Sequence, residues 1–290
     1  MKYAVSNWIY AGEPLPVTFE RLARLGYDGV ELVGEPSRYD PIQVRQLSKE
    51  HGLQVTSILG WCIRGIPGRD AAARDPDERQ AAGAYMRSCV DLAVATQARV
   101  VVMLAAPAGR VAPQAKVTSE AEWTAAFGEE WSLAVESARA LAAYAADRHI
   151  LLALEPLNRY ESFLVNNVDQ ALRFLQEVGS DQLRLHLDTF HMNLEEADLA
   201  SATEQAGGLL VNMHVSDSNR LPPGRGHIDF ARLLAALRKI GYQGALVLEP
   251  VPPGSDPLLS TSFPGNHRLR DLFAEEGLRH LKSMEAALGI

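Results

Sequence analysis

Short aliphatic segments alternate with longer amphipathic segments along the whole chain of 290 residues. The aliphatic segments have the length of strands, and they lack the regular polar alternation of a sheet that has one face in water. Strands are predicted at residues 3–10, 29–33, 54–60, 100–104, 151–155, 183–188, 209–214 and 245–249. Helices are predicted at residues 17–25, 41–51, 77–96, 120–147, 168–178, 199–205, 230–240 and 269–288.

This order of elements predicts an α/β fold with a parallel sheet, because strands that are apolar on both faces are typical of sheets covered by helices. Eight strand–helix units in a chain of this length indicate a (β/α)8 TIM barrel. An open doubly wound sheet is disfavoured, since no Gly-x-Gly-x-x-Gly motif follows the first strand. No linker divides the chain, so a single barrel domain over residues 1–290 is predicted. Residues 252–264 are predicted to form an active-site loop.

One side chain that can bind a metal lies near the end of each of the last four predicted strands: Glu155, Asp188, His214 and Glu249. In a barrel, the C-terminal ends of the strands meet at the face that carries the active site. A single acid at such a position is often only a helix cap. Three buried acids would repel one another strongly without a cation, so the set predicts a divalent ion. Oxygen donors without a thiolate favour Mn²⁺, Co²⁺ or Mg²⁺ over zinc.

Composition and charge restrict the partners of the protein. The chain has 28 basic and 36 acidic residues and a net charge of −8, which argues against nucleic acid as a partner. Its two cysteines, Cys62 and Cys89, have no short metal spacing and favour a reducing cytoplasm. The sequence has no signal-peptide pattern and no apolar stretch long enough to span a membrane.

Three predicted post-strand loops carry a second polar side chain each, namely Glu161, His191 and Arg220. These side chains could face a bound ligand, whereas a loop charge taken alone is usually just solvated. If Glu155 and Glu249 flank a sugar carbon, one carboxylate can remove a proton and the other can return one. The metal would then stabilise the charge of the enediolate.

Four stretches resemble the xylose-isomerase-like TIM barrel superfamily, and within it the ketose 3-epimerases of the D-tagatose/D-psicose type. They are Glu-Pro-Leu-Asn-Arg-Tyr-Glu at 155–161, Leu-Asp-Thr-Phe-His-Met-Asn at 187–193, His-Val-Ser-Asp-Ser-Asn-Arg at 214–220 and Gly-Arg-Gly-His-Ile-Asp-Phe at 224–230. The resemblance is dense between residues 151 and 249 and thin before them.

The resemblance implies a metal-dependent epimerase that inverts C3 of a free ketose of the D-psicose, D-tagatose or L-ribulose type. It implies that Mn²⁺ or Co²⁺ is held by Glu155, Asp188, His214 and Glu249, with Glu155 and Glu249 as the acid/base pair. Glu161, His191 and Arg220 would hold the O1–O2 end of the ketose. The resemblance also implies a homodimer or a homotetramer.

The N-terminal half departs from the pattern of that family and leaves the choice of sugar open, a phosphorylated or acidic one included. Trp8 and Trp61 either stack on a sugar or pack in the core and rim. Arg64 and Arg110 either are surface cations or bind an anionic group. Two other activities are considered. One is another sugar or cyclitol isomerase or dehydratase of the same superfamily, and the other is an endonuclease-IV-like DNA-repair phosphodiesterase, which would need more histidine ligands and a basic groove.

Overall fold

The computed structural model describes residues 1–110, 118–254 and 256–289. Its strands are β1 (Lys2–Ser6), β2 (Gly29–Val33), β3 (Gln54–Leu59), β4 (Val100–Met103), β5 (Leu151–Leu154), β6 (Leu183–Asp188), β7 (Leu210–Val215) and β8 (Ala245–Leu248). They form one closed barrel in chain order, with parallel pairing throughout and with β1 beside β8. The predicted (β/α)8 TIM barrel is therefore confirmed.

Helices surround the barrel on the outside. They are α1 (Leu15–Leu25), α2 (Pro41–His51), α3 (Pro76–Thr96), α4 (Glu120–Ala146), α5 (Val168–Val178), α6 (Thr189–Glu195), α7 (Leu199–Ala206), α8 (Phe230–Lys239), α9 (Pro257–Ser262) and α10 (His267–Leu288). Side chains such as Asp40, Asp75 and Asn167 accept a backbone N–H at the start of their helix, which stabilises each helix by about 1 kcal/mol. None of the helices in the described part of the chain is both long and apolar enough to cross a membrane.

The hydrophobic core lies mainly between the barrel and its helices. All residues of β4 are buried, and so are Phe174 of α5 and Phe230 of α8. Each such side chain contributes about 1.5–3 kcal/mol to folding. The core explains why the strands are aliphatic on both faces, since one face packs on the helices and the other faces the barrel interior.

A polar network connects the first helix to the last beside the closing pair of strands. Glu13 accepts hydrogen bonds from Arg21 of α1 and from Arg270 of α10, the latter at 3.0 Å between Nη1 and Oε2. Arg21 also donates to Asp271. These charges, which are nearly buried except for the half-exposed Asp271, join the N-terminal and C-terminal parts of the barrel.

Three segments differ from the sequence prediction. The first predicted strand, residues 3–10, was too long: β1 ends at Ser6, and Asn7–Tyr10 form a 3-10 helix. Asn7 causes this turn, because its Oδ1 accepts the N–H of Val33 at 2.8 Å and carries the chain over the barrel mouth. The residues after Asp188 were predicted as a loop but form α6, and a short helix, α9, lies within the predicted loop 252–264.

Candidate active site

The four predicted metal ligands lie in one buried cluster at the C-terminal ends of β5 to β8. Glu155 and Glu249 directly follow β5 and β8, while Asp188 and His214 lie at or near the ends of β6 and β7. Their exposed fractions are 5% or less. The Nδ1 atom of His214 is 3.5 Å from Glu155 Oε1 and 3.2 Å from Glu249 Oε2. The imidazole thus connects the two glutamates that were predicted to move protons.

Arg220 lies among these carboxylates. It donates hydrogen bonds to Asp188 Oδ2 at 2.5 Å and to Glu249 Oε2 at 3.2 Å. Its guanidinium carbon is 4.8 Å from the ring centre of Phe190. The backbone of Arg220 has a φ of 63°, a left-handed conformation that few residues other than glycine adopt. The predicted substrate contact is therefore held within reach of the acids by a strained loop.

That loop, which follows β7, is organised by the buried carboxylate of Asp217. Asp217 accepts the backbone N–H groups of Ser218 at 2.8 Å, Gly224 at 2.8 Å and Ile228 at 3.1 Å. A Cβ atom on Gly226 would lie 2.2 Å from Asp217 Oδ1, so this position has no room for a side chain. The Gly-x-Gly stretch at 224–226 thus folds the loop that carries Arg220.

His191 and Glu161 meet through Asn158, a residue that was not singled out from the sequence. Asn158 Nδ2 lies 2.8 Å from His191 Nδ1 and also donates to Glu161 Oε1 at 3.1 Å. Because the Asn158 amide donates to Nδ1, a neutral His191 carries its proton on Nε2. This Nε2 lies 3.6 Å from Asp188 Oδ2. The predicted substrate contacts Glu161 and His191 therefore lie at the β5–β6 side of the cluster.

Glu31 is a further buried acid of the cluster. Its Oε1 accepts a hydrogen bond from His214 Nε2 at 2.8 Å, and its Oε2 accepts from Ser57 Oγ at 2.6 Å and from Asn212 Nδ2 at 3.3 Å. The pKa of Glu31 is lowered, because His214 and these hydrogen bonds outweigh the effect of burial, so Glu31 is a carboxylate. Donation from Nε2 leaves Nδ1 of His214, which faces Glu155 and Glu249, as the nitrogen that can bind a cation once its proton is released.

His186 also belongs to the cluster and was missed in the sequence. It precedes Asp188 by two residues on β6, so both side chains point to the same face of the strand. Its Nε2 is 3.6 Å from Glu155 Oε1, and its ring centre is 4.0 Å from that of His214. Burial lowers the pKa of His186 well below its usual value, so the ring is neutral and can act as a ligand.

The donor set of the cluster fits a divalent cation. Three overlapping groups have ligand atoms within 4.8 Å of one another: Glu155 with His186 and His214; Glu31 with His214 and Glu249; and Glu155 with Asp188 and His191. Among the described residues, His214 Nδ1 and both ring nitrogens of His186 are buried without a hydrogen-bond partner. Such atoms are available to bind a cation. The arrangement is a candidate site for a metal that prefers oxygen and nitrogen donors.

Charges in the cluster shift the pKa of two central groups. Burial raises the pKa of Glu249 to about 7, with Glu31 among the neighbours that add to this effect. Burial alone would lower the pKa of His214, but Glu249 and Glu31 outweigh it and raise that pKa well above its usual value. Glu249 can therefore exchange a proton near neutral pH, which is the property that general acid/base catalysis requires.

Trp8 borders the cluster on the side of β1. Its indole Nε1 donates a hydrogen bond to Glu249 Oε1 at 2.6 Å. The ring of Trp61, which follows β3, packs on Trp8 with 5.8 Å between ring centres and an angle of 46° between ring planes. Both tryptophans are half-buried and form an aromatic wall at the barrel mouth.

The two arginines after β3 and β4 have different surroundings. Arg110 is paired with Asp70 at 3.2 Å and with Glu130 at 2.6 Å, so its charge is neutralised within the protein. Arg64 is exposed, and both arginines line a cavity of about 400 Å³ outside the cluster. Arg110 is thus a partly buried cation between two acids, a role that neither of its two interpretations described.

A closed eight-stranded barrel with this cluster at its C-terminal mouth defines the class of the protein. The family model described as a xylose isomerase-like TIM barrel matches residues 19–284, so the chain belongs to that family. This finding confirms the family on which the sequence interpretation relied.

Similarity to individual proteins narrows the class further. The chain is 31% identical over 235 residues to a D-psicose 3-epimerase of Ruminiclostridium cellulolyticum, a match that covers 80% of this chain and 76% of that protein. It is 44% identical over 117 residues to a D-psicose 3-epimerase of Enterocloster bolteae, where the match spans only 40% of this chain and 39% of the relative. The structure resembles a D-psicose 3-epimerase of Clostridium cellulolyticum H10 solved with D-tagatose, with a TM-score of 0.82, 25% identity and coverage of 98% and 99%. These relatives are named as epimerases, and the predicted isomerase class is thereby confirmed.

Proposed function

We propose that this protein is a metal-dependent ketose 3-epimerase that acts on a free ketose of the D-psicose, D-tagatose or L-ribulose type. The observation that carries this proposal is the arrangement of Glu155 and Glu249 around His214 in a buried cluster at the barrel mouth. The names of the relatives support the same reaction.

In this reaction, C3 of the ketose lies between Glu155 and Glu249. One carboxylate removes the C3 proton to give an enediolate, and the other returns a proton to the opposite face. Burial raises the pKa of Glu249 to about 7 before a metal binds, and this effect offsets part of the lowering that a bound cation would cause. The orientation of Glu249 is fixed by the indole N–H of Trp8.

A divalent cation that suits these donors, namely Mn²⁺, Co²⁺ or Mg²⁺, would be held by Glu155, Asp188, His214 and Glu249. When bound, such an ion stabilises negative charge on substrate oxygens. His214 is prepared for this role because Glu31 fixes its Nε2 proton and leaves Nδ1 as the donor.

The O1–O2 end of the ketose would contact Glu161, His191 and Arg220. Arg220 and His191 supply hydrogen-bond donors, and Glu161 supplies acceptors, which together match hydroxyl and carbonyl groups. Their position on the β5–β7 side directs the other end of the sugar towards Trp8 on the β1 side. Small polyols are neutral, so this site does not need a net positive charge.

The test is solvent deuterium entering C3 of D-psicose, D-tagatose, D-fructose or L-ribulose after the protein is stripped of metal and given Mn²⁺. We expect Glu155→Gln and Glu249→Gln each to lower the exchange rate by about 10²–10⁴-fold, because each removes one proton carrier. Glu136→Gln, an exposed position on α4, is the matched control and should exchange like the parent.

Two outcomes would contradict the proposal. If no ketohexose or ketopentose incorporates deuterium, the protein is not a ketose 3-epimerase. If Glu249→Gln retains full activity with metal bound, the acid/base role of Glu249 is wrong.

The phosphodiesterase alternative is not favoured. Arg110 and Arg220 are neutralised by carboxylates, and the cluster itself is rich in acids, which would repel a nucleic acid backbone. We further propose a homodimer or a homotetramer in the cytoplasm, as the sequence resemblance and the cysteine content imply. Light scattering of the purified protein tests the oligomeric state.

A further inference from the structure

A cavity of about 580 Å³ adjoins the catalytic cluster on the side of β1 and β2. Trp8 belongs to both, since its indole N–H reaches Glu249 while the residue also lines the cavity. Cavities of about 300–1,000 Å³ accommodate molecules of drug size, which are larger than one monosaccharide. A ketose whose C4–C6 end reaches Trp8 therefore leaves the outer part of this cavity unused.

The proposed orientation of the ketose places its C6 end next to this cavity. With O1 and O2 near His191 and Arg220, and with C3 between the two catalytic glutamates, the C4–C6 end must extend away from β6 and β7. Trp8 and Trp61 stand on the opposite side of the mouth and line the cavity. A group attached to the C6 end of the ketose would consequently pass Trp8 and enter the cavity.

The outer part of the cavity combines an aromatic ring with planar polar side chains. Tyr39 lies there with its hydroxyl 3.3 Å from Asn7 Nδ2, and Asn7 is held in turn by the N–H of Val33. Arg38 and Gln43 are exposed at the rim of the cavity. Amide and guanidinium groups donate to hydroxyls, and an aromatic face packs on the C–H groups of a pyranose ring. Such a lining suits a sugar.

The acids of the cavity are neutralised and its remaining cation, Arg38, is exposed at the rim, so the inner wall, as far as the described residues form it, carries no unpaired charge that would select an anion. Glu13 is paired with Arg270 at 3.0 Å as well as with Arg21, and Glu35 is paired with Arg69 at 3.4 Å. Phosphate recognition generally uses several converging donors at a short range. The aromatic wall and the size of the cavity match a ring better than a phosphate.

We infer that this cavity is a second sugar subsite and that the preferred substrate is a glycosylated ketose, with a pyranose unit linked to the oxygen of C6. This inference rests on the proposed function, because it uses the orientation of the ketose in the cluster. A link through O6 leaves C2 free to form the carbonyl that the C3 proton transfer requires. The second sugar takes no part in the chemistry and supplies binding energy that positions C3.

The inference is tested with 6-O-α-D-glucosyl-D-fructose and D-fructose as probes, by deuterium entering C3 with the Mn²⁺-loaded protein. We expect kcat/KM for the disaccharide to exceed that for fructose by about tenfold or more. Gln43→Trp should fill the cavity and remove this preference while fructose exchange stays unchanged. Gln46→Trp is the matched control, since it places the same bulk on the same helix at an exposed residue that does not line the cavity.

Each outcome separates this inference from the proposed function. Exchange of fructose without a preference for the disaccharide, or a preference that survives in Gln43→Trp, overturns the subsite and leaves the epimerase. Faster exchange of fructose 6-phosphate than of the disaccharide overturns it in favour of an anion site. Exchange of the disaccharide alone supports the subsite and the C3 proton transfer, and overturns only the proposal that a free ketose is a substrate. No exchange with any ketose, free or glycosylated, overturns both proposals.

Discussion

The two ring nitrogens of His214 have different surroundings, and this difference defines the chemistry of the cluster. Nε2 faces Glu31 across the barrel interior, and Nδ1 faces Glu155 and Glu249. Glu31 is fixed by Ser57 from β3 and Asn212 from β7. Three side chains from three strands, Glu31, Ser57 and Asn212, therefore decide which nitrogen of the imidazole is available.

Replacing Glu31 by Gln should weaken metal binding by about 10–100-fold, because the carboxylate that holds the Nε2 proton and polarises the ring is lost. Isothermal titration with Mn²⁺ measures the affinity, and the absorption spectrum of the Co²⁺-loaded protein reports on the ligand geometry. Ser57→Ala keeps the Glu31–His214 hydrogen bond and should have a smaller effect. An unchanged Mn²⁺ affinity in Glu31→Gln would show that Glu31 does not position His214.

Metal affinity should rise with pH. The raised pKa values of Glu249, about 7, and of His214 mean that both groups hold protons below those values, and these protons compete with the cation. From Glu249 alone, Mn²⁺ should bind about tenfold more weakly at pH 6 than at pH 8. Titrations at both pH values, in buffers that differ in ionisation enthalpy, measure the affinity and the protons released. Equal Mn²⁺ affinities at pH 6 and pH 8, with no proton release, would contradict the raised pKa values of Glu249 and His214.

At the scale of elements, the boundaries that were predicted best are those with strong local signals. Pro41 and Gly52 delimit α2, which has the predicted bounds, and β2 begins at Gly29 as predicted. The end of β1 could not be predicted, because Trp8, Ile9 and Tyr10 have the composition of a strand. A contact between Asn7 and Val33, which are distant in sequence, ends the strand there.

In the site, too, local features could be predicted and contacts between distant residues could not. Strand ends are local features, so Glu155, Asp188, His214 and Glu249 could be found from spacing. Glu31 was visible as an acid inside an aliphatic strand, but its partner His214 is 183 residues away and nothing local indicates the pairing. His186 could have been found from its two-residue spacing to Asp188, which places both on one face.

The loop after β7 depends on one side chain, Asp217. Asp217→Ala leaves three backbone N–H groups without their acceptor, and we expect a loss of about 3 kcal/mol in the free energy of unfolding. Activity should fall as well, because Arg220 lies in this loop. Chemical denaturation and the C3 exchange assay measure the two effects.

Asp229→Ala is the matched control for this loop. Asp229 caps α8 through a single N–H, that of Arg232, and its loss should cost only about 1 kcal/mol. Similar losses of stability in the two variants would mean that Asp217 does not organise the loop.

At the scale of the whole molecule, β1 pairs with β8 to close the barrel, and charged contacts join its first and last helices. Glu13→Ala should destabilise the protein by about 3–5 kcal/mol, because it leaves Arg21 and Arg270 nearly buried without their shared carboxylate. Arg24→Ala removes an exposed contact to the same region, Arg24–Asp271, and should change stability by less than about 1 kcal/mol. Urea unfolding measures both. A small effect of Glu13→Ala would show that the network does not hold the ends of the barrel together.

The barrel as a whole was predictable because its periodic strands and helices repeat along the sequence. The single domain over residues 1–290 stays a prediction. The barrel repeat does not determine the oligomer and the preferred sugar, because they depend on surfaces formed by separate loops. The cavity beside Trp8 illustrates this, since residues from the β1, β2 and β3 loops and from α9 line it together. The half of the sequence that departs most from the family pattern supplies most of that lining.

The hydrogen bond from Trp8 to Glu249 gives the protein an internal optical reporter. The fluorescence of an indole depends on its immediate electric environment, and here the indole N–H touches a carboxylate of the catalytic cluster. Trp123 and Trp131 pack against each other on α4 and supply a reference emission away from the mouth. Occupation of the barrel mouth can therefore be followed in real time by light emission, without a label and without turnover.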